Sequence, residues 1–366
     1  MVVEKKVVAV LPGDGIGPEI MAEALRVARA VEAMAGFDFD FVEAPFGAQA
    51  YFDVGEPFPE ATKKICDEAD VILKGPVGVG PDLIKDIPVD KRPERGALLP
   101  LRHRYDTFAN YRPVVLPPVL EFASPLRKEV IGDGIDILML RELTGGIYFG
   151  KKERGMRADG KRYAIDVLEY DEDQIRRIAK VAFEVARSRR KVLHNIHKNN
   201  ILHSGVLWCE VVEEVATEYP DVELIEMIVD ATATALCLNP CQFDVMLLEN
   251  MQGDILSDQG GGLLGSLGLM PSACMGPQKG YFEPSHGSAP DIAGKGIANP
   301  YSMIGSVAMM FQFAFGKKDV ADRIWKALFS VYENGYRTAD LKGYEESSGK
   351  IVGTKEFGDL VAKELE

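Results

Sequence analysis

The chain is short of the residues that would tie it to an oxidising compartment, a membrane or a polyanion. Only five of its 366 residues are cysteines, an odd number without paired CxxC spacing, which fits a reducing compartment better than a disulfide framework. Cys237 and Cys241 are the one close pair, with Asn239 and Pro240 between them. No histidine cluster completes a zinc site there, so free, partly buried thiols are expected. Long apolar runs are missing too. The start, Met1 to Leu11, sets Glu4, Lys5 and Lys6 ahead of too few apolar residues for a signal core, and the run from Ile304 to Phe315 is broken by Gln312 and reads as a core helix. No membrane partner is expected, and the cytoplasm is the expected location. Basic residues are in the minority, 42 Lys and Arg against 56 Asp and Glu, for a formal charge of -14. Nucleic acid and anionic membrane both demand a basic surface, so neither fits as partner. An anionic ligand must instead be met by Arg and Lys gathered locally. There is no low-complexity tract, no internal repeat and no long Gly/Ser linker. With no Gly-x-Ser-x-Gly elbow or Ser/His/Asp order, nucleophilic catalysis has little support.

What is present is an alternation of strands and helices. A hydrophobic content of 46% over this length supports a large core and about two domains. Lys6 to Leu11 is a continuous apolar strand of the kind buried in a parallel sheet, and Glu19 to Val31 then carries Ile20, Leu25, Val27 and Val31 at helical spacing. Further strands are expected at 71–73, 135–140, 192–196, 222–229 and 243–248, with helices at 173–186 and 206–216. This is an α/β chain. Gly13-Asp14-Gly15-Ile16-Gly17-Pro18 follows the first strand much as a Rossmann GxGxxG loop does, but Pro18 stands at the last glycine position. Proline suits the first turn of a helix, and a helix start is the simpler account.

Carboxylates and arginines mark the remaining motifs. Gly253-Asp254-Ile255-Leu256-Ser257-Asp258 puts two carboxylates four apart after an apolar strand, on one face if the segment is helical. Like charges so placed repel unless a cation lies between them, and oxygen ligands suit Mg2+ or Mn2+. Taken alone, the pair reads better as dipole-complementing residues of a helix start. Arg102, Arg112 and Arg141 each offer a guanidinium fork that matches a carboxylate, Arg141 from the C-terminal end of a strand. Tyr148 lies in a glycine-rich loop and suits either an acid or a packed aromatic; Lys198 and Asp230 each follow a strand.

Together, Leu11 to Glu19, Arg95 to Arg102, Arg141 to Gly150, Gly253 to Asp258 and His286 to Pro300 resemble the β-decarboxylating dehydrogenases, the family of isocitrate and isopropylmalate dehydrogenases, over Val7 to about Asp359. The resemblance implies two α/β domains sharing a mixed sheet flanked by helices, which is not a Rossmann fold. The first would span 1–107 and 265–366, on the cofactor side, and the second 108–264. It implies oxidation and decarboxylation of a 3-substituted malate by NAD with Mg2+ or Mn2+, in a homodimer with shared active sites. Arg102, Arg112 and Arg141 match the carboxylate clamp, Leu98 and Leu99 an apolar wall for the alkyl group, Lys198 the base and Tyr148 the acid. Asp254 and Asp258 match metal ligands, joined by Asp230, which with Lys198 would come from the neighbouring subunit. Asn200, Glu283, His286, Gly287, Ser288, Ala289, Asp291, Ile292 and Asn299 match the cofactor site. An acidic residue at Asp291 accepts from ribose hydroxyls and repels a 2′-phosphate, which favours NAD over NADP. Two departures stand out: His197 before the lysine, more typical of isocitrate and homoisocitrate relatives, and Ala231 after the aspartate.

Overall fold

Runs that are apolar on every residue become strands covered on both faces. Val8, Ala9, Val10 and Leu11 are fully buried in the first of these, as expected of parallel strands with helices on either side. The computed structural model describes residues 4–341 and 349–366. Residues 1–3 and 342–348 belong to the span expected for the first domain and lie outside the described residues. In chain order the strands are β1 (Glu4–Leu11), β2 (Phe37–Glu43), β3 (Val71–Lys74), β4 (Ala109–Leu116), β5 (Ile135–Glu142), β6 (Lys152–Met156), β7 (Arg162–Asp166), β8 (Val192–His197), β9 (Glu223–Ile228), β10 (Val245–Leu248), β11 (Pro271–Met275), β12 (Gly280–Pro284) and a short parallel pair, β13 (Tyr336–Arg337) and β14 (Lys350–Ile351). The chain divides into two compact units: Met1–Thr107, Leu116–Pro125 and Gly261–Glu366 form one, Phe108–Val115 and Leu126–Gly260 the other.

In the first unit the strand order is β2-β1-β3-β12-β11. β1 is parallel to β2 and β3, β12 is parallel to β3, and β11 is antiparallel to β12, so this sheet is mixed. Helix Gly17–Ala30 begins with Pro18 in its first turn, where the missing N–H costs nothing. The GxGxxG look-alike is therefore a helix start. Helix Tyr301–Phe313 is buried along nearly its whole length, which accounts for the longest apolar run of the sequence. Among the described residues no helix is long and apolar enough to cross a membrane.

In the second unit the order is β4-β5-β10-β8-β9, with β5, β10, β8 and β9 parallel and β6 and β7 forming a separate antiparallel hairpin. Parallel strands need crossovers, and helices Glu172–Arg187 and His203–Ala216 supply them. The first is set by a capping box: Asp171 accepts from the Gln174 backbone at 2.8 Å while the Gln174 side chain accepts from the Asp171 N–H at 3.2 Å. Its apolar positions, Ile175, Ile178, Ala179, Ala182, Phe183 and Ala186, are all buried, the stripe expected of a helix covering a sheet. Strands β5, β8 and β10 end near one another, and the chemistry-bearing residues of this unit follow those ends.

Candidate active site

Helix Asn250–Leu264 follows β10 directly. Its orphan N–H groups are met by Glu249, whose two oxygens accept from Met251 at 3.1 Å and Gln252 at 2.8 Å, a carboxylate placed where the helix dipole favours it. The capping task is thus already done, and Asp254 and Asp258 lie a turn and more inside the helix. The reading of this pair as helix-start decoration is corrected: the helix starts four residues earlier than the first aspartate.

What the two aspartates do is engage arginines. Arg141, the penultimate residue of β5, is almost wholly buried. Asn250 Oδ1 accepts from its Nε at 3.1 Å and its Nη2 at 2.8 Å, which leaves Nη1 on the Asp254 carboxylate. A methyl group added at Gly253 would lie 2.7 Å from Arg141 Cγ, so only glycine lets the helix pass this close to the arginine stem. Arg112 of β4 is also buried. Its Nε donates to Asn110 Oδ1 at 2.8 Å and its Nη1 to Ser257 Oγ at 2.6 Å, within 3.5 Å of Asp254 and 3.7 Å of Asp258. Burial of both guanidinium groups is tolerated because each is paired and hydrogen-bonded.

Tyr148 joins the same group. It sits in a short turn, Gly146–Tyr148, whose preceding loop is fixed by Glu142, which accepts from the Thr144 N–H at 2.9 Å and the Gly145 N–H at 2.7 Å. Tyr148 Oη donates to Asp254 Oδ2 at 3.0 Å. Burial, and after it the charge of Asp254, pushes the phenol up to about 12, so it stays a proton donor at neutral pH. Burial likewise raises the Asp258 carboxyl, against the pull of Arg112.

Asp254 and Asp258 keep part of their carboxylate surface exposed, 38% and 54% of the side chain. Two oxygen donors on one helical face suit a hard divalent cation, so these residues fit Mg2+ or Mn2+. In the chain itself, the two guanidinium charges balance the two carboxylates.

Lys198 and Asp230 form a second pair in this unit. The parallel register sets Ile196 beside Met227 and His197 beside Ile228, so the two strands end level and the next residues emerge together. Asp230 lies in the first turn of helix Val229–Leu238, not at the end of the strand as expected, and is ion-paired with Lys198. Gly205 allows the turn after Lys198 to close, since a methyl group there would lie 2.8 Å from the Lys198 carbonyl carbon. Asn200 is exposed in that turn.

In the first unit, Leu98 ends a π-helical turn, Glu94–Leu98, that runs into helix Leu99–Arg104. Pro100 has no N–H for the carbonyl four residues back, and the Leu99 N–H bonds instead to Glu94. Leu98 and Leu99 are half-buried and stand four and three residues before Arg102, on its side of the helix. Arg102 is buried and donates to Tyr281 Oη at 3.1 Å.

The His286–Asn299 loop belongs to the same unit. His286 Nδ1 lies 2.9 Å from the Gly287 carbonyl, which only accepts, so Nδ1 carries the proton and Nε2 accepts from Ser302 Oγ at 2.8 Å. Burial lowers its pKa and keeps it neutral. Gly287 has open space where a side chain would be, Ala289 holds a left-handed φ of 40°, and Asp291 is exposed, with Ile292 half-buried beside it. An exposed acceptor, an open glycine and a strained backbone fit a dinucleotide end. Two expected cofactor residues have structural partners. Glu283 is buried on Lys74 at 2.5 Å, and Asn299 is tied to Asp340 at 3.1 Å and to the Tyr301 N–H at 3.0 Å.

Sequence reasoning missed the residues that orient the arginines: Asn250, Ser257, Asn110 and Tyr281. Asn250 and Ser257 lie inside or beside a quoted motif and on the aspartates' helix, a signal that helical spacing offered, and Asn110 lies two residues before Arg112 on the same strand, where alternation puts both on one face; nothing in the sequence points to Tyr281. It also missed a grouping of His197, Cys209 and Glu226, whose donor atoms lie within 4.8 Å of one another. These come from β8, a helix and β9, and no spacing announces them. The His197 Nδ1 accepts from the Asn199 N–H at 3.3 Å, so Nε2 carries the proton of a neutral ring and faces Glu226 at 3.1 Å; that tautomer does not ligate through Nε2. The cysteines are free, as expected, and Cys241 is half-buried, but Cys237 is exposed rather than partly buried.

An arginine-clamped carboxylate pair with a half-buried phenol in one unit and a loop built around a neutral histidine in the other are the candidate sites of this α/β chain. A family model described as isocitrate/isopropylmalate dehydrogenase matches residues 7–361, and the chain belongs to that family, whose members are oxidatively decarboxylating dehydrogenases. It is 50% identical over 361 residues to a 3-isopropylmalate dehydrogenase of Geobacter sulfurreducens, covering 98% of each chain. It is 49% identical to one of Thermotoga maritima, covering 98% of this chain and 99% of the other. Among solved structures, an isocitrate dehydrogenase from Methylococcus capsulatus superposes with a TM-score of 0.85 at 33% identity, covering 98% of this chain and 99% of that one. The resemblance carried by the five motifs is thereby borne out.

Proposed function

We propose that the protein oxidises and decarboxylates 3-isopropylmalate to 4-methyl-2-oxopentanoate with NAD, a step of leucine synthesis. The observation that carries this is the arrangement at Leu98, Leu99 and Arg102: an alkyl wall and a guanidinium on one helical face match the two features of a 3-alkylmalate, where isocitrate-specific relatives place Ser and Asn for a further carboxylate. The near full-length identity to relatives named for this activity supports it.

The roles follow from the residues' chemistry. Arg112 and Arg141 are oriented from behind by Asn110, Ser257 and Asn250, so their forks are fixed before a carboxylate arrives, which lowers the entropic cost of binding. Asp254, Asp258 and Asp230 would hold the divalent cation, which when bound supplies Lewis acidity at the C2 oxygen while NAD accepts the hydride. Lys198 takes the proton of the C2 hydroxyl, after the amine has given up its own. Tyr148 delivers a proton at C3 once CO2 has left; its raised pKa keeps that proton available. Asp291 takes the adenosine ribose hydroxyls, and its charge disfavours a 2′-phosphate. A divalent cation with a malate dianion is electrically neutral overall, so it can replace the contacts among two arginines and two aspartates without a net change in charge.

The working form is proposed to be a homodimer in which Lys198 and Asp230 serve the other copy's site. Exposed apolar residues of the second unit, Ile201, Leu238 and Ile255, support a covered face. The five free thiols support a reducing, cytoplasmic setting. Initial rates with 3-isopropylmalate, 3-methylmalate, malate, tartrate, isocitrate and homoisocitrate, each with NAD and NADP, test the assignment. The highest kcat/KM belongs to 3-isopropylmalate with NAD; metal-dependent NADH formation from isocitrate or malate but not from 3-isopropylmalate would overturn it.

A further inference from the structure

The Gly13–Pro18 segment imitates a dinucleotide loop in sequence, yet its one acidic side chain is turned inward. Asp14 is 5% exposed. Its Oδ2 accepts from the Ala48 N–H at 3.0 Å and the Gly78 N–H at 2.8 Å, and its Oδ1 from the Gln49 N–H at 3.0 Å. Three backbone donors from two distant segments thus converge on one carboxylate, the geometry that holds loops by charge-assisted hydrogen bonds.

From there the contacts lead to Ser288. The Gly78 carbonyl accepts from Ser288 Oγ at 2.8 Å, and the Ser288 carbonyl accepts from the Ile16 N–H at 2.9 Å. Asp14, Gly78, Ser288 and Ile16 therefore close a ring of hydrogen bonds across three segments. The fit is tight: a methyl group at Gly15, where φ is +59°, would lie 2.0 Å from the Ser288 carbonyl oxygen, and one at Gly47, where φ is +96°, 2.6 Å from Asp14 Oδ2. The residue after Ser288 is Ala289, whose left-handed φ of 40° persists only where the surroundings impose it. Asp291 follows two residues later.

We propose that Asp14 is a positioning residue for the cofactor loop: by fixing Gly78 and, through it, Ser288, it sets the backbone that presents Asp291 to the NAD ribose. This rests on the reading of His286–Asn299 as the cofactor site. It also explains why the segment resembles a phosphate-binding loop without acting as one: its glycines admit the carbonyls of Pro76 and Ser288, and its carboxylate orders a neighbouring loop.

The test is a set of variants of the full chain, each checked for folding by circular dichroism and thermal unfolding. Asp14→Asn keeps the size but turns an amide N–H2 toward backbone donors, losing at least one charge-assisted bond. It should raise KM for NAD and the NAD Kd, read by protein-fluorescence titration, about ten-fold, with kcat at saturating NAD and KM for 3-isopropylmalate near wild type. Ala48→Pro removes the donor that shares Oδ2 with Gly78 and leaves the carboxylate itself in place, at a first-turn position where proline is tolerated; a smaller rise confined to NAD is expected. It also keeps the proposal testable if Asp14→Asn does not fold. If folded variants lose kcat and both KM values in common, or show an unchanged KM for NAD, Asp14 is only structural and the proposal falls. Asp291→Lys distinguishes the two layers. If it leaves the preference for NAD over NADP unchanged, the loop reading itself fails; if it shifts that preference while Asp14→Asn leaves NAD binding intact, only the positioning role fails.

Discussion

Tyr148 Oη lies 3.0 Å from Asp254 Oδ2, on the carboxylate that also receives Nη1 of Arg141. The proposed acid and a proposed substrate-binding cation thus share one carboxylate, itself a proposed metal ligand. Tyr148→Phe keeps the ring and removes the proton. Turnover should fall by about 100-fold or more, the range of a lost general acid, with thermal stability close to wild type. Because the phenol is pushed up to about 12, the alkaline limb of the wild-type pH profile should not be its titration. Near-normal kcat in Tyr148→Phe would remove the assignment.

Lys198 and Asp230 are paired in the chain, and both are proposed to act in a partner's site. Lys198→Ala and Asp254→Asn should each abolish turnover while leaving NAD binding largely intact. Mixing the two inactive proteins under subunit-exchange conditions should restore activity, since one site of the mixed dimer then holds an intact Asp254 and an intact Lys198. No recovery after demonstrated exchange would mean that each chain completes its own site.

The aspartates should report cation binding apart from catalysis. Mg2+ or Mn2+ with 3-isopropylmalate should raise the unfolding temperature of the wild type by mass action on the folded state, and EDTA should reverse it. Asp258→Asn removes one proposed ligand, and that stabilisation should shrink markedly or vanish. An undiminished shift would place the cation elsewhere.

Leu98 and Leu99 should govern the alkyl group. Leu98→Ser with Leu99→Asn replaces apolar wall by polar groups, and kcat/KM for 3-isopropylmalate should fall by roughly 10- to 200-fold, as loss of small apolar contacts does. The ratio of isocitrate to 3-isopropylmalate turnover should rise, and an unchanged ratio would place specificity elsewhere.

Asp67 is held down to about 2 from an ordinary 3.8, first by its hydrogen bond to Arg104. A folded-state pKa below the unfolded one gives stability that is present above about pH 3.8 and is lost as pH falls toward 2. Asp67→Asn should therefore flatten the decline in unfolding temperature over that window. The pair is largely exposed, so the effect should be modest and weaken with added salt.

Much of the fold was legible because its signals are local. The apolar run at Val7–Leu11, the helical spacing after Pro18 and the apolar strand Val245–Leu248 each require only near neighbours to read. The aspartate pair shows where local reading stops. Spacing put Asp254 and Asp258 on one helical face, but whether they cap the helix depends on Glu249, which already accepts from its first N–H groups, and on the helix starting at Asn250. Asn110 lies two residues before Arg112 on β4 and Ser257 on the aspartates' own helix, so local periodicity reaches both; Tyr281 orients Arg102 from β12, and no periodicity links those two.

By itself the sequence determined the α/β class, the absence of paired CxxC spacing, the family through five ordered motifs, and which residue types carry the chemistry. These depend on composition, short-range periodicity and motif order, all present in the linear chain. Only the tertiary structure decided that Arg112 and Arg141 meet Asp254, that Tyr148 shares that carboxylate, that Asp230 joins Lys198, and that Asp14 faces inward to Gly78. Those pairings span tens to more than a hundred residues. They are fixed by strand register and by close backbone approach at Gly15, Gly205 and Gly253, which exist only once the sheet has assembled.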